Sequence, residues 1–380
     1  MKILLIGEYN SSHYTLKQGL QQLGHQVVVI GNGDGFKNRK VDINFKIKYR
    51  TGLINYLRRL IYKLTSLDIT SLSVQRQFNK HKHLFKNYDV VQLINENAFN
   101  CFPKVEKQLL QFIFDHNKNV FLLSCGTDYM SVKYAADRKF RYDILTPYYE
   151  GKGTKRQFWH ALMYLEPSFV DLHKFVYKNI KGVIASDFDY DIPLKGHEKY
   201  LGLAPNPINI DALPYSNMQI DGKIVIFHGI NEQNYFKKGN DIFEAALEII
   251  KLKYPEKVEI ITVRSLPYEE YIKSFDKAHI LLDQVFAYDQ GFNALEAMAK
   301  GKVVFTGAEQ EWLDYYNLKE DTVAINALPD AESIAYKLEW LIMHPEKILE
   351  ISKNARSFIE KEHHYVDCAK IYLEKWTSRI

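Results

Sequence analysis

The chain has 380 residues, of which 46% are hydrophobic and 14% aromatic, and its net charge is +4 at pH 7. This composition excludes a disordered chain, and the length exceeds what one hydrophobic core usually holds, so we expect two domains. Three cysteines without metal-ligand spacing favour a reducing compartment. The first apolar run is too short for a signal peptide, and no window reaches the roughly 20 apolar residues of a membrane span. We therefore expect a cytoplasmic protein.

Charge is unevenly distributed between the two halves of the chain. Residues 1–200 carry 30 Lys and Arg against 18 Asp and Glu, whereas residues 201–380 carry 20 against 28. This asymmetry predicts different partners for the two halves. The basic half suits an anionic surface or ligand, and we expect no nucleic-acid partner.

Strand-like and helix-like patterns alternate along the first half. The continuously apolar runs are KILLI, QVVVI, DVVQLI, NVFLLS and KGVIAS, and such runs are typical of parallel strands buried on both faces. Between them, YTLKQGLQQLG and FPKVEKQLLQFIFDH place apolar residues at helical spacing. Parallel strands joined by helices form right-handed crossovers, so this half predicts a doubly wound α/β domain.

The same alternation restarts near residue 222. It follows LAPNPINIDALPYSNMQIDG, a segment whose Pro and Asn residues are typical of a linker. The predicted strands are KIVIFH, VEIITV, HILLDQV and KVVFTG, and the helices between them include NDIFEAALEIIKLK and PYEEYIKSFDKA. We predict one domain at residues 1–205 and a second at 206–363. Ligands of open α/β sheets lie beyond the carboxyl ends of the strands, so the cleft between the domains is the expected site.

Several residues suited to anion binding follow the predicted strands of the second domain. His228 ends the first strand, Lys238 follows it, and Arg264 follows the next strand. Gly291 begins a helix that contains Glu296 one turn further in. A helix start binds phosphate through its amides and dipole, and a nearby carboxylate can accept hydrogen bonds from a ribose diol. This pattern indicates a nucleotide site, with Lys238 and His228 neutralising the other phosphate oxygens.

Each of these residues also has a purely structural interpretation, which stays open. Glu296 suits an early helix position because of the helix dipole. Lys238 could belong to a solvated lysine pair, His228 to a strand end, and Arg264 to a surface salt bridge.

The segment GFNALEAMAKGKVVF, the upstream KKG and the linker APNPIN together resemble the GT-B glycosyltransferases. The resemblance is to the family-four-like group of bacteria (glycosyl transferases group 1), with its motif E-G-F-x-x-x-x-L-E-A-M-A-x-G-x-P-V. It implies a GT-B fold, in which two doubly wound Rossmann-like domains face each other across a cleft and a C-terminal helix, here 364–380, completes the first domain. By the same match, Glu296 would hold the ribose and Lys238 would be the lysine of the family's Lys-Gly pair. The residues that the match places near the diphosphate and sugar are Gly291, Phe292 and Asn293.

The resemblance implies a hexosyltransferase-type enzyme that moves a sugar from a UDP- or GDP-type nucleotide sugar to an acceptor hydroxyl. The C-terminal domain would bind the donor, and the N-terminal domain would bind a glycan or lipid-linked acceptor. We expect a role in bacterial surface polysaccharide or glycolipid synthesis, retention at the anomeric carbon, no cofactor and no essential metal. Lys238, the helix start at Gly291 and Arg264 would stabilise the departing diphosphate.

Polar residues also follow the strands of the first half, whose loops border the cleft in GT-B enzymes. The candidates there for acceptor or sugar contacts are Glu8, Asn10, His13, Asn95, Glu96 and Asp128. Together with Lys238, we take Glu8 and Asp128 as the catalytic candidates, with Asp128 contacting the acceptor or serving as a base. A turn or helix cap is the structural alternative for Asp128.

Two departures from the family pattern leave other interpretations open. Tyr288 stands where the family often has a further glutamate, and Gly229 and Ile230 stand where it has a glycine-arginine pair. The alternative is therefore a non-catalytic nucleotide-sugar-binding or scaffold protein of the same fold. An NAD-dependent oxidoreductase is a further alternative, but the segment GNGDG at 31–35 lacks the G-x-G-x-x-G spacing and predicts a turn.

Two other segments have a distinctive charge pattern. The segment DFDYD (187–191) contains Asp-x-Asp, which holds a metal and diphosphate in another glycosyltransferase fold, but it lies in the basic half and we expect no metal site. Residues 46–64 carry six basic residues, no acidic one, and apolar residues on one helical face. This segment either lies on an anionic membrane, which would place the protein at the inner membrane face, or packs on the sheet as an ordinary helix.

Overall fold

A computed structural model describes residues 1–32, 39–65, 67–215 and 217–380, and within these ranges it leaves out the side chains of residues 268 and 269. Of the glycine-rich segment 31–35, residues 33–35 lie outside the described residues. The described chain contains two parallel sheets, each covered by helices. The predicted fold class is confirmed: the protein is α/β, with two Rossmann-like sheets.

The first sheet has seven parallel strands in the order β3-β2-β1-β4-β5-β6-β7. Its strands are β1 (Lys2–Ile6), β2 (Gln26–Gly31), β3 (Ile43–Asn44), β4 (Val90–Leu93), β5 (Val120–Ser124), β6 (Gly182–Ala185) and β7 (Tyr200–Leu203). The helices associated with it are α1 (Ser12–Gln22), α2 (Gly52–Thr65), α3 (Ile69–His81), α4 (Pro103–His116), α5 (Tyr129–Ala136), α6 (Thr146–Tyr149), α7 (Trp159–Leu162), α8 (Pro167–Asn179) and α9 (Phe188–Leu194). The central strands β1, β4 and β5 are largely apolar and, apart from Lys2, buried, as their hydrophobic runs predict.

The second sheet has five parallel strands in the order β12-β11-β10-β8-β9. Its strands are β8 (Ile224–Ile230), β9 (Val258–Arg264), β10 (Ile280–Leu282), β11 (Val303–Thr306) and β12 (Ile325–Asn326). The helices that follow the linker are α10 (Asn240–Lys253), α11 (Tyr268–Asp276), α12 (Phe292–Ala299), α13 (Gln310–Tyr316), α14 (Ala331–Met343), α15 (Pro345–Glu362) and α16 (Tyr365–Thr377). The strand order reverses between β8 and β10, and ligands of such sheets bind at this kind of switch point.

The last helix packs against the first domain. Gly19 makes the close approach of α1 to α16 possible, because a Cβ atom there would lie 2.2 Å from the carbonyl oxygen of Tyr365. At the other end of α16, the indole of Trp376 donates a hydrogen bond to Gln92 on β4 over 3.0 Å. The two halves are thus joined both by the linker and by α16. The boundaries at 205/206 and 363/364 stay predictions.

His13 lies inside this packing rather than on an open surface. Its side chain is fully buried, its Nδ1 lies 2.8 Å from the carbonyl oxygen of Gly7, and its Nε2 lies 3.1 Å from Gln92 Nε2. Burial lowers the pKa of His13 to about 4, so the ring is neutral and accepts from the Gln92 amide. The contacts of His13 therefore hold the loop after β1 in place.

Helix α2 is largely uncovered by the rest of the described chain. None of its residues is buried, and Leu53 and Leu64 are 76% and 75% exposed. It is held at its sides, where Arg58 pairs with Asp68 at 3.0 Å and Tyr62 lies against Phe102. The interpretation as an ordinary helix packed on the sheet is therefore wrong. No helix in the described ranges has the length and apolar character needed to cross a membrane.

Candidate functional site

A hydrogen-bonded network occupies the carboxyl ends of β8 and β10, at the switch point of the second sheet. Lys238 Nζ lies 2.9 Å from Asp283 Oδ1, and the Asn293 amide donates to the same oxygen over 2.9 Å. The hydroxyl of Tyr271 donates to Asn293 Oδ1 over 3.1 Å. The predicted candidates Lys238 and Asn293 are thus brought together by Asp283, a residue that the sequence pattern marked only as part of a strand.

The glycine after Lys238 fixes the course of the chain at this point. Gly239 has a φ of +70°, which a residue with a side chain rarely adopts, and a Cβ atom there would lie 2.6 Å from Val285. The chain therefore turns tightly against the segment after β10 before α10 begins. This turn brings the Lys238 side chain to Asp283.

The start of α12 leaves room for a ligand. A Cβ atom on Gly291 would meet only Gln284 Nε2 within 4 Å, and that at 3.9 Å. Because the strands are parallel, the N-terminus of α12 and its first-turn amides lie at the carboxyl edge of the sheet. Phe292, the first residue of the helix, is buried, whereas Asn293 points into the network with Lys238.

Glu296 lies at the junction of the two domains. Its side chain is 13% exposed, and one of its oxygens lies 3.7 Å from an Arg39 guanidinium nitrogen of the first domain. It also lines a cavity of about 420 Å³ with Asn293, Ile272 and the linker residues 212–214. The carboxylate thus borders a space between α11, α12 and the linker, and its ribose-binding role stays a prediction.

His228 and Arg264 make their hydrogen bonds and ion pairs outside this network. His228 is fully buried, its Nε2 is paired with Asn240 at 2.9 Å, and burial lowers its pKa. Arg264 is 47% exposed and pairs with Glu232 at 2.6 Å and with Glu244. The structural interpretations, a strand-end histidine and a surface salt bridge, describe these contacts, and the phosphate-binding roles of both residues stay predictions.

The two N-terminal catalytic candidates are both buried. Glu8 accepts a hydrogen bond from the Tyr14 amide over 2.6 Å. Asp128 caps α5, where it accepts from the Ser131 amide over 2.8 Å and from the Ser124 hydroxyl. These contacts are those of loop and cap residues, so the roles of Glu8 and Asp128 towards substrate stay predictions.

Two further candidates of the first domain, Asn95 and Glu96, also make internal contacts. The Asn95 amide lies 3.2 Å from the carbonyl oxygen of Thr127 and holds the loop after β5. Buried Glu96 pairs with His173 Nδ1 at 2.5 Å. His173 on α8 was not a predicted candidate, because nothing in the sequence pairs a mid-helix histidine with a distant strand end.

Tyr288 joins the two domains at the position where the family often has glutamate. Its hydroxyl accepts from the Arg141 amide over 2.9 Å, and the Arg141 guanidinium lies 4.8 Å from its ring centre. Arg141 also pairs with Glu309 at 2.6 Å and with Glu311 at 2.7 Å. The segment around Arg141 therefore docks the first domain onto the second, a contact that the sequence pattern did not predict.

Three carboxyl groups meet between the domains. Ligand atoms of Asp187, Asp189 and Asp289 all lie within 4.8 Å of one another. Burial raises the pKa of Asp187 to about 7, and burial with like charges raises the pKa values of Asp189 and Asp289. The Phe188 amide donates to Asp289 over 3.2 Å. The Asp-x-Asp segment thus forms part of a domain contact whose carboxyl groups keep their protons to a higher pH than exposed carboxyl groups do.

Replacing Asp289 with Asn is expected to raise the melting temperature at pH 8 by about 2–4 °C, or roughly 1 kcal/mol, and to have less effect at pH 5. The folded carboxyl cluster keeps protons that the unfolded chain releases. The stabilisation that these protons give is fully present below 3.8, the ordinary pKa of Asp, and is lost as the pH rises through about 7, the raised pKa of Asp187. The amide removes a charge and still offers an oxygen to Phe188. Thermal unfolding at both pH values measures this, with exposed Glu256→Gln as the control. Destabilisation at pH 8, or an equal gain at pH 5, would contradict it.

Comparison with known proteins supports the class that the geometry suggests. Residues 233–374 match the family described as glycosyl transferase-like. Sucrose-phosphate synthase from Thermosynechococcus elongatus has a similar structure, with 16% identity, a TM-score of 0.62 and 100% of each chain covered. HepE of Anabaena, in complex with UDP and glucose, has 13% identity, a TM-score of 0.59 and 100% of each chain covered. No curated protein sequence matches the chain.

The same fold also serves a different reaction. UDP-GlcNAc 2-epimerase from Neisseria meningitidis, bound to UDP-GlcNAc, has 15% identity, a TM-score of 0.51 and 100% of each chain covered. Likeness at such identities shows the GT-B fold, and the family match adds the transferase character of the second domain. Together they support the predicted GT-B fold, and the match of residues 233–374 is consistent with a glycosyltransferase of the group 1 type.

Proposed function

We propose that this protein transfers a sugar from a nucleotide-diphosphate sugar of the UDP type to the hydroxyl of a glycan or lipid-linked acceptor. The observation that carries the proposal is the arrangement at the switch point of the second sheet. There, Lys238 is linked through Asp283 to Asn293 in the first turn of α12, and Glu296 follows one turn further along the same helix. The UDP found with HepE and the UDP-GlcNAc found with the epimerase favour UDP over GDP.

In this proposal the diphosphate lies at the start of α12 and its leaving-group charge develops beside Lys238. An ammonium and helix amides that are already in place stabilise that charge without reorganisation, and enzymes usually gain more rate from such stabilisation than from any other single effect. This stabilisation requires no essential metal. Domain closure excludes water from the donor. Retention at the anomeric carbon and a role in surface polysaccharide or glycolipid synthesis follow from the family resemblance and belong to the same proposal. The proposal also includes a cytoplasmic location, which the sparse cysteines favour.

Binding of the nucleotide is tested by thermal unfolding against UDP, GDP, CDP, dTDP, ADP and NAD. A ligand at about 100 times its Kd adds roughly 2.7 kcal/mol, which corresponds to a rise of several degrees. We expect stabilisation by UDP above all. Stabilisation by NAD alone would favour an oxidoreductase, and no stabilisation by any nucleotide would contradict the proposal.

We include in the proposal that α2 places the enzyme at an anionic membrane surface, next to a lipid-linked acceptor. The helix exposes large apolar side chains on the outside of the first domain. Residues 46–64 carry basic side chains without an acidic one. In a helix that lies in the membrane interface, the apolar side chains insert into the lipid and the basic side chains pair with lipid phosphates. The exposed side chains of α2 follow this pattern.

Replacing Arg59 and Lys63 of α2 with Gln is expected to weaken binding to phosphatidylserine-containing vesicles about 30-fold, because each basic residue near the surface contributes roughly 1 kcal/mol. Cosedimentation at low salt measures the partition coefficient. Lys277→Gln with Lys319→Gln removes the same charge from exposed positions of the second domain and serves as the control. Equal weakening by both double variants, or no binding of the unmodified protein, would contradict the assignment of α2.

A further inference from the structure

Asp283 is a buried carboxylate at the centre of the proposed donor site. It follows β10 directly, and its side chain is 1% exposed. A buried carboxylate costs free energy unless it is paired and hydrogen-bonded, so its presence at a strand end calls for a reason. Its Oδ1 accepts from both Lys238 and Asn293, each over 2.9 Å. Its Oδ2 is buried and has no hydrogen-bond partner among the described residues.

The two partners of Asp283 come from different elements. Lys238 lies in the turn between β8 and α10, and Asn293 lies in the first turn of α12. Among the described residues, Asp283 is the one hydrogen-bond acceptor for Lys238 Nζ, so two of the three ammonium donors remain for a ligand. The Lys238 side chain is 28% exposed and therefore reaches from the buried carboxylate towards the cleft.

A lysine side chain has many accessible rotamers, and a free lysine would lose that conformational freedom when it binds a diphosphate. Anchoring at Asp283 removes that freedom before the ligand arrives. It also fixes the distance between the ammonium and the start of α12, because the same oxygen holds the Asn293 amide. The contact to Tyr271 extends this restraint to α11.

We infer that Asp283 is a positioning residue for the departing diphosphate, which it serves by holding the Lys238 ammonium at a fixed distance from the start of α12. This inference rests on the proposed function and adds to it a residue that does not itself touch the substrate. Because Asp283 acts through Lys238, its effect on the rate disappears when Lys238 is absent.

A double-mutant cycle with Asp283→Asn and Lys238→Ala tests the inference, with UDP release from UDP-sugars as the readout. Asparagine keeps an oxygen for Lys238 but loses the charge that anchors it. We expect Asp283→Asn to lower kcat by about 10- to 100-fold, since misplacement of a catalytic group by about 1 Å has effects of that order. In the Lys238→Ala background the same change should lower kcat by less than about twofold. Asp321→Asn, which alters a Lys–Asp pair remote from the site, is the control and should leave kcat unchanged.

Each outcome of the cycle has a separate meaning. An unchanged kcat in Asp283→Asn, or a full additional loss in the Lys238→Ala background, overturns the inference and leaves the proposed function standing. Absence of UDP release by the wild-type protein overturns both. If Asp283→Asn fails to fold, Asp283→Glu, which keeps the charge but displaces it, replaces it in the same cycle with the same criteria.

Discussion

Lys238→Ala is expected to lower kcat by about 10²–10³, the range found when one preorganised donor to a developing negative charge is removed. The ammonium lies at the carboxyl end of the second sheet, anchored to Asp283 and next to the start of α12. Its contribution grows as the bond to the diphosphate breaks, so the loss should appear in kcat more than in KM. Initial rates of UDP release over a range of donor concentrations measure both constants.

Exposed Lys251→Ala, on α10 of the same domain, is the control for this measurement. A rise in KM with kcat unchanged would show that Lys238 binds the ground state and the transition state equally, which contradicts its assignment to the leaving group.

Glu296→Gln is expected to raise the KM for the donor by about 10- to 100-fold, because hydrogen bonds to a charged group contribute roughly 1.5–3 kcal/mol. A carboxylate accepts both hydroxyls of the ribose, whereas an amide offers one acceptor and directs two hydrogens at the other hydroxyl. Stabilisation by UDP in thermal unfolding should fall in parallel. Glu332→Gln, an exposed glutamate in the first turn of α14, represents an ordinary early-helix glutamate and should have neither effect.

The contact between Glu296 and Arg39 provides a second comparison. Arg39→Gln removes that domain contact and leaves the carboxylate in place. If Arg39→Gln reproduced the full rise in KM, Glu296 would act through the domain contact, and its assignment to the ribose would be wrong.

The buried strands and their order along the chain were predictable because continuous apolar runs bounded by polar residues have few other interpretations. The short strands β3, β7 and β12 were not predicted. Two of them are only two residues long, and β7 is largely half-buried, so none has an apolar run. The strand predicted at 279–285 ends at Leu282, because the next residue, Asp283, turns its carboxylate to Lys238.

The candidate site was predictable only in part. Lys238, Gly291 and Glu296 follow from their positions at strand and helix ends. The link between Lys238 and Asp283, 45 positions apart, exists only in the folded chain. A signal for Asp283 was nevertheless present, since it is a polar residue directly after an apolar run, the feature that singled out His228.

The contacts between the domains could not be predicted from the sequence. The meeting of Asp187 and Asp189 with Asp289, and of Arg141 with Glu309, depends on how two independent sheets face each other. Likewise, the amphipathic pattern of α2 shows that one face is apolar but not whether another element covers it. The structure resolves that second question by leaving the face exposed.

The central claim, transfer of a sugar from a nucleotide donor held at the switch point of the second sheet, is tested most directly by donor turnover. Purified wild-type protein, Lys238→Ala and Glu296→Gln are incubated with UDP-glucose, UDP-GlcNAc and GDP-mannose, and release of the nucleoside diphosphate is followed without and with glycan acceptors. We predict release from one UDP-sugar by the wild-type protein, faster with acceptor and strongly reduced in both variants. Binding of UDP without release from any donor would contradict the claim and would leave a nucleotide-sugar-binding protein of the same fold.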